Sequence, residues 1–132
     1  MKIVSITIRG FQATADEICG QLGGKHTLAG DAGKPYRERQ ETILRKSFIV
    51  NEMTAPDDAK IENLIKDLIA EWGEVPNINR VRSKYDIEQI YINIVLECND
   101  DVDSNRLLFS AASLKDVAEL GAELLVTAKT NT

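Results

Sequence analysis

The sequence predicts an α+β fold: a mainly antiparallel four-stranded sheet with three helices packed on one face, a ferredoxin-like sandwich variant, in one domain over residues 1–132. Three observations carry this. Segments with the period-2 alternation of strands take turns along the chain with segments bearing a helical stripe. The first three strand segments each show a polar face, whereas both faces of a parallel sheet are ordinarily covered. A chain of 132 residues with 43% hydrophobic and 28% charged residues is the size and make-up of one globular domain.

Strand 1 is predicted at Ile3–Arg9, where Val4, Ile6 and Ile8 alternate with Ser5, Thr7 and Arg9. Helix 1 follows at Ala15–Leu22: Thr14 and Glu17 make a capping box, Ala15, Ile18, Cys19 and Leu22 share a face, and Gly23 suits a left-handed ending. Strand 2 is placed at Thr42–Asn51, with Leu44, Phe48 and Val50 on one side. Helix 2 has the clearest signal. Thr54 and Asp57 suggest a capping box, Pro56 fits a first turn, and Gly73 ends the helix. Ile61, Leu64, Ile65, Leu68, Ile69 and Trp72 form its stripe, opposite Asp58, Glu62, Lys66 and Glu71. Residues 74–88 give no firm pattern beyond a frayed turn of helix at Asn77–Tyr85. Strand 3, Ile90–Cys98, alternates strictly, and an acidic turn and a short extended piece, Leu107–Ser110, follow it. Ser113 and Asp116 cap helix 3, Leu114–Leu120, which Gly121 ends before strand 4 at Leu124–Lys129.

Between helix 1 and strand 2 lies Gly23–Gln40, GGKHTLAGDAGKPYRERQ, which reads as neither helix nor strand. It holds four of the eight glycines and the only histidine, and it is locally basic in a chain of net charge −5. Long irregular segments inside compact domains are usually functional or disordered. Lys34, Tyr36, Arg37 and Arg39 are the candidate ligand-binding residues, because arginine grips phosphate and carboxylate bidentately. The other reading is a loop kept solvated by its charges.

Several chemistries fail on spacing. Gly20–Lys25, GQLGGK, lacks the glycine a phosphate loop needs at position 19 and is followed by His26 instead of Ser or Thr. It also ends a helix, where carbonyls repel phosphate. Asp101, Asp103 and Asn105 open like a calcium-binding loop, but Arg106 and Ala112 occupy the places of its glycine and bidentate glutamate. Cys19 sits on an apolar stripe, which makes it a buried thiol and not the partner of His26. Cys19, Cys98 and His26 are one ligand short of a structural zinc site. No carboxylate pair stands out. The sequence therefore implies no catalytic residues, no metal and no cofactor.

The acidic balance argues against nucleic acid, which favours a basic face. No apolar run approaches the roughly 20 residues of a membrane span. The opening MKIVSITIRG alternates like a strand, unlike a signal peptide, so the expected location is the cytoplasm.

Four stretches resemble bacterial domain-of-unknown-function family 4279: VSITIRGFQATADEICGQLG, the Gly33-Lys34-Pro35 turn, RKSFIV, and LLFSAASLKDVAELGAELLVTAK. Where that family often has tryptophan, this chain has Phe48. The resemblance implies a small α+β domain and brings no activity, cofactor or catalytic residue.

With helices on one side, the open sheet face is expected to carry Ser5, Thr7, Arg9, Arg45, Ser47, Ile49, Tyr91, Asn93, Val95, Leu125 and Thr127. Ile49, Tyr91, Val95 and Leu125 would form an apolar spot there, a candidate interface with a protein partner or a second copy of the chain. The functional expectation is a non-catalytic protein-binding module of bacterial or phage origin. Small acidic proteins of this sort often act as immunity or anti-defence factors, which is an argument by association. The alternative is a small anionic-ligand binder or enzyme built on Lys34–Arg39.

Overall fold

The alternation of Val4, Ile6 and Ile8 with Ser5, Thr7 and Arg9 becomes the centre of a five-stranded sheet. The fold is that of a computed structural model, which describes residues 1–36, 39–98 and 107–130, with backbone only at 36, 39–42, 98 and 130. The chain runs β1 (Lys2–Arg9), α1 (Ala15–Gln21), β2 (Leu28–Gly30), β3 (Pro35–Tyr36), β4 (Arg39–Ile43), β5 (Phe48–Ala55), α2 (Ile61–Glu71), α3 (Glu74–Tyr85), β6 (Gln89–Cys98), α4 (Ala111–Glu119) and β7 (Glu123–Thr130). The sheet order is β2-β5-β1-β6-β7, while β3 pairs with β4 separately.

The α+β class and the mainly antiparallel sheet are as expected. Three details are corrected: the described sheet has five strands, four helices are present, and β7 runs parallel to β6. A strand that returns by way of a helix, here α4, enters from the same end as its neighbour and so pairs parallel. The β-α-β-β-α-β order of a ferredoxin-like sandwich is followed by β1, α1, β2, β5, α2 with α3, and β6, whose strands stand in the order β2-β5-β1-β6; β3 and β4 are inserted between β2 and β5, and α4 and β7 are added after β6.

Pairing fixes the faces. Val4 lies between Met53 and Ile94, Ile6 between Asn51 and Ile92, and Ile8 between Ile49 and Ile90. These positions, except half-buried Met53 and polar Asn51, join one buried cluster with Ile18 of α1, Ile65 and Leu68 of α2, Ile78 and Val81 of α3, and Val117 of α4. All four helices thus cover the same face. Trp72, fully buried just after α2, donates its indole N–H to the Lys25 carbonyl at 2.7 Å and so ties the start of the 23–40 segment to the core.

Helix 1 ends as its sequence predicts. Gly23 and Gly24 both have positive φ, and the Gly24 amide donates to the Cys19 carbonyl at 2.8 Å, the hydrogen-bond pattern of a Schellman cap. Helix 2 does not start as predicted. β5 keeps pairing with β1 through Ala55↔Lys2, which takes Thr54 into the ladder and leaves Lys60 as an N-cap with no side-chain bond.

The stretch 74–88, left unread by periodicity, contains the twelve-residue α3, with Ile78 and Val81 buried against α2. Its polar side chains do structural work at a distance. Asn79 Nδ2 donates to the Glu119 carbonyl at 3.1 Å and Arg82 donates to that of Leu120, so α3 satisfies the C-terminal carbonyls of α4. At the other end of α4 the cap is Ser110 rather than Ser113. Glu62, from α2, accepts from the Ser110 amide at 2.9 Å and the Ser113 hydroxyl at 3.1 Å. These donors hold the Glu62 carboxyl below its ordinary value.

Candidate functional site

Two surfaces remain once the core is assigned: the helix-free face of the sheet, and a cleft at the end where β1 leaves it.

On the open face, pairing sets the side chains in rows. Leu28, Val50, Thr7, Tyr91 and Glu123 form one row, and Glu52, Ser5, Asn93 and Leu125 the next. Thr54, Ile3, Val95 and Thr127 form a third. Ser5 and Thr7 are buried although no helix lies above them, because short side chains in the middle of a sheet are shaded by longer neighbours. Tyr91, Val95 and Leu125 come together as expected: Leu125 stands beside Asn93, between the other two along β6.

Ile49 is the correction. It pairs with Ile8 on the helix side and is fully buried, so it belongs to the core. Phe48, Ile49 and Val50 are consecutive apolar residues, and period-2 reading cannot choose a face for them; the register against β1 does. Val50 and Phe48 take the open-face places. Arg45 and Ser47 also leave the expected list. Arg45 turns to the cleft, and Ser47 is buried with its hydroxyl accepting the Ala32 amide at 2.8 Å.

The segment 23–40 is also corrected, since it contains strands. Leu28, Ala29 and Gly30 pair with β5, and the Thr27 amide donates to the Val50 carbonyl at 2.7 Å. The Gly33-Lys34-Pro35 turn is clamped to Leu44 by two backbone bonds of 2.9 Å, with Gly33 in a left-handed conformation. Asp31 accepts from the Ala15 amide at 2.7 Å, which joins this turn to the start of α1.

That arrangement leaves an open cleft of about 950 Å³ between Gly10–Thr14, the 31–34 turn, 45–47 and the end of α3. Lys34, Arg45, Lys46 and Lys84 line it, against Asp31, Asp86 and Glu88. Lys46 pairs with Glu88; Lys34, Arg45 and Lys84 make no ion pair among the described residues. Gly10 has φ +83, and a Cβ there would strike the Glu88 side chain. Of the four predicted ligand residues, Lys34 reaches the cleft. Tyr36 and Arg39 are strand positions whose side chains are not described, and Arg37 lies outside the described residues. Arg45 and Lys84 were missed as ligand candidates because they reach Lys34 from the turn before β5 and from α3, far apart in sequence.

Cys19 is buried on α1, and burial, with Asp16 nearby, pushes its thiol up, away from the reactive thiolate. His26 is exposed, its Nδ1 3.3 Å from the Gly24 carbonyl. The calcium-like run Asp101–Asn105 lies outside the described residues. Among the described residues no three His, Cys, Asp or Glu side chains gather as a metal site would require, and no helix is long and apolar enough to cross a membrane.

Fold and surfaces together define a small α+β domain with an open-faced mixed sheet and a basic cleft at one end. Comparison of the chain with protein-family models, curated proteins and solved structures finds no match.

Proposed function

We propose that this chain is a non-catalytic protein-binding module whose partner docks on the open sheet face, with membership of the uncharacterised family it resembles as part of the same reading. The observation that carries it is the make-up of that face. Ile3, Val50, Tyr91, Val95 and Leu125 surround the short side chains of Ser5 and Thr7, and Arg9, Glu52, Glu97, Glu123 and Lys129 stand at the margins. Apolar and aromatic side chains grouped around small polar ones, Ser5, Thr7 and Asn93, inside a charged rim are the anatomy of a protein interface. An immunity or anti-defence role is the setting such a module fits.

The test is a double substitution, Tyr91→Glu with Val95→Glu, in affinity capture followed by reconstitution with the purified partner. The partner held by the wild type is expected to be lost while the thermal midpoint is kept. Equal capture by both proteins defeats the proposal.

A second reading, an anion-binding cleft, is favoured by the convergence of Lys34, Arg45 and Lys84 on one concave site. A thermal-shift series with phosphate, phosphorylated sugars and di- and tricarboxylates decides it. A ligand at 100 times its Kd adds about 2.7 kcal/mol of stability, and Lys34→Ala with Arg45→Ala should remove the gain. No shift across the series rejects this reading.

A further inference from the structure

We infer that β7 is a self-association edge, along which two copies of this chain join their sheets antiparallel across a two-fold axis centred on Val126. β7 is the last strand of the sheet, and among the described residues nothing pairs with its outer edge. Such an edge presents unpaired N–H and C=O groups to any second strand. Edges that must stay single are blunted by shortness, proline, bulges or charges, lysine above all, and β7 carries its charges, Glu123 and Lys129, only near its two ends. The opposite edge, β2, is three residues long. β7 has eight, ELLVTAKT, with no proline and an unbroken register against β6.

Its side chains are exposed on both faces. Leu124 and Val126 lie on the helix side, where their counterparts in β1 and β6 are buried, yet they are 36% and 49% exposed. Leu125, on the open face, is 45% exposed. Among the described residues β7 is held chiefly by β6, and α4 packs mainly on α2.

Charge specifies the occupant. Pairing β7 with a copy of itself about Val126 sets Glu123 opposite Lys129 of the second copy, Leu124 opposite Ala128, and Leu125 opposite Thr127. Each pair lies on one face, and the ion pair occurs twice by symmetry. A parallel, in-register pairing would set Glu123 against Glu123. A one-residue slip would put the two sets of helices on opposite sides of the joined sheet. Slips by two or more lose the ion pair. The strand is therefore self-complementary in one isologous arrangement. That arrangement keeps both open faces on the same side, five strands from each copy. It stands whether or not those faces take a partner.

Sedimentation velocity over a range of concentrations tests it. The wild type is expected to dimerise, and Val126→Lys, which sets two like charges face to face on the axis, to be monomeric. Glu123→Lys and Lys129→Glu should each weaken the dimer by about tenfold, since each creates two like-charge contacts. Carried together, the two exchanges restore the opposite pairing and should recover wild-type affinity. If Val126→Lys fails to fold, the exchanges at exposed Glu123 and Lys129 still decide. A wild type that stays monomeric throughout overturns the inference. So does a dimer indifferent to the single exchanges, or a double exchange no tighter than the singles.

Discussion

β1 and β7 are both eight-residue strands with four aliphatic residues each, and they meet opposite fates. β1 has a long strand on either side and helices above it; Val4, Ile6 and Ile8 are at most 1% exposed. β7 has β6 on one side, and Leu124, Leu125 and Val126 are 36–49% exposed. The same side-chain chemistry stabilises the fold in one place and offers surface in the other. What lies beside and above a strand decides which, because the hydrophobic gain follows the area removed from water and not the residue type.

The largest effect should come from the buried side of that contrast. Trp72→Ala should cost about 3–5 kcal/mol in urea denaturation, through a large cavity and the lost bond to Lys25. A loss under about 1 kcal/mol would mean that the Trp72 pocket is not part of the cooperative core. Next, Gly10→Ala at the cleft end of β1 should cost about 1–2 kcal/mol, because alanine is strained at positive φ and its methyl group displaces Glu88. Equal stability in a chemical melt would show that the turn relaxes.

On the exposed side, Leu124→Ser and Leu125→Ser, measured at concentrations where the chain is monomeric, should each cost about 1 kcal/mol, in keeping with side chains only partly removed from water. A larger loss would show β7 to be covered in the monomer. Hydrogen exchange sharpens the same point: β1 amides should open only with global unfolding, and outward-facing β7 amides should exchange first unless a second copy protects them.

The smallest effect concerns the tether of α4. Its donors lower the Glu62 pKa from an ordinary 4.5, so the ionised carboxylate stabilises the fold above that pH. This contribution is lost as pH falls from 4.5 through the lower folded value. The stability difference between wild type and Glu62→Gln should therefore be constant near neutrality and shrink in acid. A difference unchanged down to the acid limit of folding would disprove the tether.

Much of the fold was legible because local rules and tertiary structure agree. The Val4-Ile6-Ile8 alternation, the Ile61-to-Trp72 stripe and the Gly23 cap each depend on neighbours a few residues away. α3 was illegible for the converse reason. Its stripe, Val75, Ile78, Val81 and Tyr85, is thin, one apolar residue per turn among polar ones, and Asn79 and Arg82 serve a different helix, so little local signal marks it. Of the candidate site, Lys34 and the trio Tyr91, Val95 and Leu125 were readable as surface residues of a loop and of alternating strands. Arg45 and Lys84 were not, because nothing local says that the turn before β5 and the end of α3 meet.

By itself, then, the sequence determined the α+β class, the core strand, the helix-2 stripe and the end of helix 1, all governed by periodicity and backbone conformation within a few residues. Tertiary structure alone decided that Ile49 is buried and Val50 is not, since three apolar residues in a row have no preferred face until β1 sets the register. It also decided that β7 is parallel and uncovered. That α4 packs mainly on α2 is a matter of helix packing, and the apolar edge stays partly exposed.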